Sequence, residues 1–417
     1  MPTAEPTAPL TPPATWALLL AGALTLAVAM GIGRFAFTPL LPLMMRDGQL
    51  DAAGGAELAA ANYLGYLVGA LTAGRLAGQP LGLVRWCLPA IAVLTAAAGL
   101  VHSPLAWGLL RFGAGVGSAW ALVGISVWSL TLLARRGQSG LSGLVFTGVG
   151  AGITLAGLLA WWAVAASASA LWLLFGAAAL LLSGLVIWLV RAAAPPADAG
   201  GVTRSSPPAQ PSNPLPAGSW PLVICYGAFG FGYILPATFL PAMARALLDD
   251  PRRFGLVWPV FGLAALASVL LTRRWVAAWP PVRVWAVCQF LMAAGVALPL
   301  LSRSGWAVAL AALLVGGTFV LATVIAMQMA RALAPQQPAP LLARMTAAFA
   351  LGQIAGPLLV RALAPVQLHA PWQPAGAAAL GAIEITLACA TLLLLATAAW
   401  LWRGQRAGLT RPAAHPG

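Results

Sequence analysis

The sequence predicts an all-α integral membrane protein with twelve transmembrane helices in two six-helix bundles. Its composition is the first reason: 61% of the 417 residues are hydrophobic and 7% are charged, whereas a soluble domain carries about 25% charged residues. The second is a series of twelve apolar stretches, most of them close to the roughly 20 residues that cross a bilayer. The third is a partial repeat of the first half of the chain in the second half.

The predicted spans follow one another with short connections, near 16–45, 55–74, 84–102, 104–133, 138–164, 169–191, 220–246, 252–272, 282–302, 305–331, 341–364 and 374–402. Between the sixth and the seventh, residues 192–219 are rich in Pro, Ser and Gly, which predicts a flexible cytoplasmic linker. The expected domains are a cytoplasmic tail at 1–15, a bundle at 16–191, the linker at 192–219, a bundle at 220–402 and a cytoplasmic tail at 403–417.

The net charge of +14 arises from 22 arginines, and the chain has no lysine. The arginines are distributed among the connections, so nucleic-acid binding is not predicted. If both termini are cytoplasmic, fourteen arginines lie inside and six outside, which agrees with the positive-inside rule. Residues 1–15 contain no basic residue, so the first span is interpreted as a retained helix. We expect a multi-pass protein of the cell inner (plasma) membrane that functions as a monomer in the lipid bilayer.

The chain lacks residues that several enzyme classes require. Without lysine, it has neither a P-loop nor the usual Schiff base to pyridoxal phosphate. Its cysteines and histidines are isolated from one another, which predicts free thiols and no metal site; they are Cys87, Cys225, Cys288, Cys389, His102, His369 and His415. We therefore expect no cofactor and no enzymatic activity.

One stretch of the first span recurs in the seventh. Residues 31–46, GIGRFAFTPLLPLMMR, align with residues 230–245, GFGYILPATFLPAMAR, at an offset of 199. In this alignment Tyr233 occupies the position of Arg34. Two glycine pairs match in the same way at an offset of 204, namely Gly148 and Gly152 with Gly352 and Gly356. Duplication of a six-helix unit explains the common order of these matches, and chance alignment of Gly- and Ala-rich helices is the alternative.

The fourth span carries an arginine close to a run of small residues, in LLRFGAGVGSAWALVG. A charge at the centre of a bilayer costs at least about 2.5 kcal/mol, so Arg111 is expected to face a cavity or a partner. The small residues allow a neighbouring backbone to approach closely. The alternative is that the Arg111 side chain extends to the outer surface.

The spacing of Arg111, Gly115, Gly117 and Ala119 resembles the fourth-helix signature of the major facilitator superfamily. A second element, at Gly352, Gln353, Gly356 and Pro357, resembles its glycine-proline element, and the phrases GIGRFAFTPLLPLM and ANYLGYLVGA are similar to its YbfB/YjiJ-type branch. The resemblance covers essentially the whole chain and implies two six-helix bundles, alternating access and a central cavity. One departure is Ala73, where the family carries an acidic residue, so the charge latch of that loop is in doubt.

Polar side chains on the spans that would line this cavity are the candidates for substrate binding: Arg34, Asn62, Tyr63, Tyr66, Arg111 and Tyr233, with Gln353, Trp120 and Trp128 as weaker ones. Arg34 would supply a fixed positive charge, or alternatively would bond backbone carbonyls at a kink formed by Pro39 and Pro42. Asn62 and Tyr66 are four residues apart and share a helix face. The alternative for the tyrosines is a position at the bilayer interface or a contact between helices.

Glu384 is the candidate for proton coupling, because the predicted twelfth span places it about ten residues inside the bilayer, where desolvation would favour its neutral form. A structural glutamate is the alternative, and Asp51 and Glu57 at the outer mouth are other proton acceptors. Taken together, the sequence predicts a secondary active transporter of a small solute of negative character, working by alternating access with proton-coupled efflux. The alternative is a non-transporting membrane sensor or assembly protein on the same fold.

Overall fold

The structure, a computed structural model, describes residues 12–76, 79–193, 219–247, 250, 254–275, 279–334, 339–367 and 380–404. Nearly all of the predicted linker at 192–219, most of the N-terminal tail and all but the first two residues of the C-terminal tail lie outside these ranges. The domain boundaries therefore stay predictions. The two histidines His369 and His415 lie outside the described residues as well.

Twelve helical spans are described, and we number them α1 to α12. Their bounds are α1 Pro12–Leu26, Ala27–Ile32 and Phe37–Arg46; α2 Ala52–Leu76; α3 Pro80–Ala97; α4 Pro104–Arg135; α5 Ser142–Trp162; α6 Ala168–Ala193; α7 Ser219–Leu247; α8 Val257–Trp275; α9 Pro281–Leu301; α10 Gly305–Leu333; α11 Ala339–Ala362; and α12 Ala382–Gly404. Ten spans are long and apolar enough to cross a membrane, and α8 contains a shorter apolar helix at Val257–Leu271. The predicted all-α membrane fold is confirmed.

The outer surface of the bundle is apolar, as a bilayer requires. Large side chains such as Leu180, Leu181 and Leu185 are exposed on it, while glycines lie where helices cross. Gly148 of α5 packs against the carbonyl of Ala23 in α1, and Gly352 of α11 packs against the carbonyl of Gly227 in α7. The two contacts are related by the offset of 204 that the sequence predicts for the glycines, so both halves use the same crossing.

Within the described ranges, the two halves meet mainly along three pairs of helices: α1 with α7, α2 with α11 and α5 with α8. Toward the end at which α1 joins α2, polar contacts between described residues also cross between the halves. Arg361 donates to Glu57 over 2.7 Å, and Arg245 donates to the carbonyl of Pro42. We call this end the closed end.

A pair of charged residues after α1 holds the closed end of the first half together. Arg46 donates to the carbonyls of Val164 and Ala166 in the α5–α6 turn, and a carboxylate oxygen of Asp47 accepts from the backbone nitrogen of Ala168 at the start of α6. An acidic group at a helix N-terminus is stabilising. The side-chain hydrogen bond from Arg46 lowers the pKa of Asp47 below its ordinary value, so the carboxylate is charged at neutral pH.

The predicted start of the twelfth span is wrong, and this changes the position of Glu384. The helix begins at Ala382, so Glu384 lies in its first turn and not ten residues inside it. There the carboxylate accepts from the backbone nitrogen of Gly381 and lies 3.6 Å from the partly exposed Arg303. Composition alone places a helix start only to within several residues.

Candidate functional site

The centre of the molecule is organised by a break in α1. Its first segment ends at Leu26, and Ala27–Ile32 forms a π-helical turn in which Gly33 and Phe35 donate to carbonyls five residues earlier. The α-helix resumes at Phe37. Such π-turns leave carbonyls without their normal helical partners and occur frequently at functional sites. Arg34 lies inside this break.

Two neighbouring side chains satisfy the carbonyls that the break exposes. Arg111 of α4 donates to the carbonyl of Gly33 over 3.1 Å and to that of Arg34 over 2.9 Å. Asn62 of α2 donates to the carbonyls of Gly33 and Arg111. The Arg111 guanidinium also lies 5.0 Å from the ring centre of Phe37. Arg111 and Asn62 therefore hold the shape of α1.

This arrangement does not match the sequence-based prediction that Arg111 is a charge in the transport cavity. Arg111 is 4% exposed, and its terminal nitrogens are both directed at the backbone of α1. It does not extend to a surface either. Of the two positions expected from the sequence, a cavity or a partner, the structure shows a partner, the backbone of α1. Hydrogen bonding to backbone carbonyls at a break in α1, one of the two roles predicted for Arg34, is thus performed by Arg111.

Arg34 points away from Arg111, toward the interface between the two halves. Its guanidinium carbon lies 4.2 Å from the ring centre of Tyr66 and 5.1 Å from that of Tyr63, both on α2. The side chain is 2% exposed, and its Nε atom is without a hydrogen-bond partner. Among the described residues, no carboxylate forms an ion pair with Arg34. The buried charge is therefore stabilised by aromatic faces and by neutral hydrogen bonding.

A chain of hydrogen bonds links Arg34 to its counterpart in the second half. The guanidinium donates to the amide oxygen of Gln353 on α11, and the amide nitrogen of Gln353 donates to the hydroxyl of Tyr233 on α7. Tyr233 is the residue that the sequence repeat aligns with Arg34. Gln353 thus joins the two repeat-related positions across the interface, and all three side chains are buried.

Two further hydrogen bonds beside this chain also cross between the halves. The hydroxyl of Tyr63 lies 2.9 Å from that of Thr238 on α7, and the Thr38 hydroxyl donates to the carbonyl of Ala237. Ala237 lies 199 residues after Thr38, the same offset that relates Tyr233 to Arg34. In the centre of the molecule, α1 and α7 therefore face each other at positions that the sequence repeat aligns.

An aromatic cluster from the second half covers the other side of Gln353. The ring of Tyr233 lies nearly parallel to those of Phe319 on α10 and Phe349 on α11, with centroids 5.4 and 5.5 Å away. Phe349 also stacks on Tyr226 at 4.8 Å. Phe35 of α1 contacts Phe319 at 6.3 Å, so the cluster reaches the residue next to Arg34.

The structure brings together most of the predicted substrate-binding residues. Arg34, Tyr63, Tyr66, Tyr233 and Gln353 form one central group, and Asn62 and Arg111 lie behind it on α1. Trp120 lies elsewhere, bonded to Thr72. The sequence reasoning missed Tyr226 and Phe349, although the spacing offered a signal: Phe349 is four residues before Gln353 and Tyr226 is seven before Tyr233, so each shares a helix face with its partner.

The other acidic candidates lie far from this group. Asp51 and Glu57 line a groove of about 800 Å³ at the closed end, between α2 and α4, together with Arg361, Leu105 and Leu109. Glu57 forms an ion pair with Arg361, and a carboxylate oxygen of Asp51 accepts a hydrogen bond from the backbone nitrogen of Gly54. Like Glu384, these carboxylates are at the ends of helices and not beside Arg34.

Comparisons with known proteins agree with this architecture. A family model described as an uncharacterised MFS-type transporter, YbfB, matches residues 26–400. A bacterial homolog to the human lysosomal transporter Spinster, in an inward-facing and unoccupied conformation, superposes with a TM-score of 0.66 at 14% identity and covers 97% of this chain and 100% of its own. No match was found among curated proteins.

Two further solved structures are similar over nearly their whole length. A D-xylose-proton symporter has a TM-score of 0.67 at 13% identity, covering 93% of this chain and 96% of its own. The nucleoside transporter NupG has a TM-score of 0.65 at 12% identity, covering 94% of this chain and 98% of its own. At such low identities the likeness shows the fold.

Proposed function

Because this chain belongs to the family of MFS-type transporters of the YbfB kind, we propose that it moves a small solute of negative character across the cell inner membrane by alternating access. MFS-type transport follows from the family. The negative character of the solute is supported by one observation above the others, the buried guanidinium of Arg34. A cation is desolvated there at the interface between the halves, and its protein partners are neutral.

The buried charge of Arg34 is costly unless it is paired. Burying an unpaired ion is strongly unfavourable, and pairing with an opposite charge offsets part of that cost. Cation–π contacts contribute about 0.5–2 kcal/mol each, which is less than a charge-assisted pair of hydrogen bonds offers in the same place. The Tyr66 ring and the Gln353 amide stabilise the charge of Arg34 only in part. An anion bound to Arg34 would neutralise it.

Alternating access is supported by where the halves touch. The ion pair of Glu57 with Arg361 and the bond from Arg245 to Pro42 close one end, and the Arg34–Gln353 bond lies deeper along the helices. Breaking these contacts would open a path to Arg34 from the closed end. With the termini in the cytoplasm, as the arginine distribution predicts, this end faces outward and the described conformation is closed to the outside.

Proton coupling, outward transport, cytoplasmic termini and function as a monomer complete the proposal. Glu384 is the proton-coupling candidate that the sequence predicts, and the structure places it in the first turn of α12. A solute anion can itself carry the proton if it moves in its neutral form. Comparing uptake with and without an imposed pH gradient decides whether protons take part at all.

Uptake by reconstituted protein tests the proposal. Proteoliposomes containing the full chain, together with empty liposomes, would be given labelled acetate, lactate, succinate and benzoate, with glycerol as the neutral comparison. We expect at least one anion to enter above the empty-liposome rate and glycerol not to do so. Arg34→Gln should lower that rate at least tenfold. Arg191→Gln removes the same charge from an exposed position at the end of α6 and should leave it unchanged.

Two results would overturn the proposal. Equal uptake by Arg34→Gln and by the wild type would remove the assignment of Arg34. If the folded wild type moves no anion of the set, either with or without an imposed pH gradient, the second candidate is favoured: a non-transporting sensor or assembly protein on the same fold.

A further inference from the structure

Gln353 is a replaceable partner for Arg34. Its amide oxygen carries only a partial negative charge, whereas a carboxylate offers a full charge and can accept two hydrogen bonds from a guanidinium in a fork geometry. The Nε atom of Arg34 has no partner in the described residues. Arg34 can therefore accept a carboxylate with a gain that the protein's own side chains do not provide.

The surface around this position is aromatic and comes from both halves. Tyr66 on α2, Phe319 on α10 and Phe349 on α11 are 7%, 6% and 9% exposed, whereas Tyr233 is 2% and Gln353 is 0% exposed. The Tyr66 ring lies 4.2 Å from the Arg34 guanidinium, and Phe319 and Phe349 stack on Tyr233, which is bonded to Gln353. Together they form an aromatic surface beside the bond from Arg34 to Gln353, and a flat ring packs well against such faces.

From this juxtaposition we propose that the transported solute is an aromatic monocarboxylate, whose carboxylate replaces Gln353 on Arg34 and whose ring packs against Tyr66, Phe319 and Phe349. The inference rests on the proposed transport function and names the solute class. A single arginine matches a single carboxylate. A second negative charge would have no cation among the described side chains of the central group.

The exchange also connects binding to movement of the halves. The hydrogen bond from Arg34 to Gln353 joins α1 to α11, so a carboxylate that takes Arg34 breaks a contact between the halves. Gln353 keeps its bond to Tyr233 within the second half. Solute binding therefore exchanges an interaction between the halves for one between the solute and the first half, which is the differential contact that a change of conformation requires.

This mechanism makes Gln353 a competitor of the solute, and its variants have opposite expected effects. Gln353→Glu is close to isosteric and would place a permanent carboxylate on Arg34, so added carboxylates should no longer bind. Gln353→Ala removes the competitor, so the dissociation constant for a carboxylate should fall about threefold or more. A residue that simply contacts the solute would weaken binding in both variants.

The test measures binding of three probes to the purified full chain by calorimetry and thermal unfolding. Benzoate carries a ring and a charge, benzamide carries the ring alone, and cyclohexanecarboxylate carries the charge on a saturated ring. We expect benzoate to raise the unfolding temperature, benzamide to leave it unchanged, and cyclohexanecarboxylate to bind at least threefold more weakly than benzoate. Phe349→Leu should reduce that threefold preference, and Arg34→Gln should abolish benzoate binding.

The inference is overturned if benzamide or cyclohexanecarboxylate binds as tightly as benzoate, or if no probe binds. It is also overturned if the Gln353→Glu variant binds benzoate with the same affinity as the wild type. Thermal unfolding of Gln353→Glu itself shows whether it folds, and its new ion pair should raise its unfolding temperature. Arg34-dependent uptake of acetate, lactate or succinate without benzoate binding would contradict the aromatic solute and leave the proposed transport of anions standing.

Discussion

At the scale of single residues, two buried arginines that look alike in the sequence have different tasks. Arg34 and Arg111 both lie in apolar spans, and both were predicted to be cavity charges. In the structure, Arg111 donates to two carbonyls of α1, whereas Arg34 faces tyrosines and the neutral amide of Gln353. The difference follows from the direction of each side chain relative to the break in α1, which residue type does not encode.

Removing Arg111 should destabilise the protein before it affects solute recognition. Arg111→Ala leaves the buried carbonyl of Arg34 without its side-chain donor, at about 1–3 kcal/mol, leaves the carbonyl of Gly33 with Asn62 alone, and opens space beside Phe37. We expect the unfolding temperature in detergent to fall by several degrees. Arg191→Ala, which removes an exposed arginine from the end of α6, serves as the comparison and should unfold like the wild type.

One result of this experiment would instead assign Arg111 to the substrate site. If Arg111→Ala unfolds at the wild-type temperature but no longer binds any anion that the wild type binds, its guanidinium must contact the solute. Arg111→Lys sharpens the distinction, because a single ammonium group reproduces the charge but not the fork that reaches both carbonyls.

At the scale of helices, glycines decide how closely the two halves approach. A Cβ atom at Gly150 of α5 would lie 2.5 Å from the backbone nitrogen of Leu266 in α8, and one at Gly262 of α8 would lie 2.5 Å from that of Thr154. Backbone atoms at such distances cannot move aside as a flexible side chain can. The α5–α8 contact between the halves therefore depends on these two glycines, as small residues allow in membrane helix pairs.

Gly150→Ala should therefore separate α5 from α8. We expect a lower unfolding temperature, because the crossing can re-form only with a gap between the helices. Gly184→Ala on α6 is the control: nothing lies within 4 Å of the added Cβ, and loss of glycine there should be neutral or stabilising by about 0.4–1 kcal/mol. The same unfolding temperature for both variants would show that the close approach of α5 and α8 at Gly150 does not contribute to stability.

At the scale of the whole molecule, the ion pair between Glu57 and Arg361 helps to hold the closed end. Both side chains are about half exposed, and pairs in such positions contribute at most about 1 kcal/mol. A contribution of that size is too small to decide folding, but it can change the ratio of two conformations about fivefold. The ion pair is therefore expected to influence the position of the conformational equilibrium.

Glu57→Gln should increase the population that is open at the closed end. Spin labels on cysteines at Ala53 and Ala364, in a Cys389→Ser background, would report the separation of α2 from α11 by pulsed electron resonance. We expect a longer-distance population to grow in Glu57→Gln. Exchanging the charges, with Glu57→Arg and Arg361→Glu together, should restore the original distribution. An unchanged distribution in Glu57→Gln would show that other contacts hold this end.

The membrane class, the twelve spans and the repeated frame were all predictable from the amino-acid sequence. A bilayer requires long apolar helices, so composition and length report them directly, and the glycines of the repeat report where backbones cross, as the contacts of Gly148 and Gly352 show. Boundaries were less secure: α12 begins at Ala382, which places Glu384 in its first turn.

The sequence marked the polar candidates of the central group, whereas the tertiary structure decided which of them contact one another. The link from Arg34 through Gln353 to Tyr233 spans residues 319 and 120 positions apart, and it depends on the break in α1 and on the way α11 packs against α2. Among the rings around it, the tyrosines Tyr63, Tyr66 and Tyr233 were candidates from the sequence, whereas the stacking of Phe319 and Phe349 on Tyr233 appears only in the structure. Partners of a buried charge are chosen by three-dimensional proximity, whereas the apolar length of a helix is a local property of the chain.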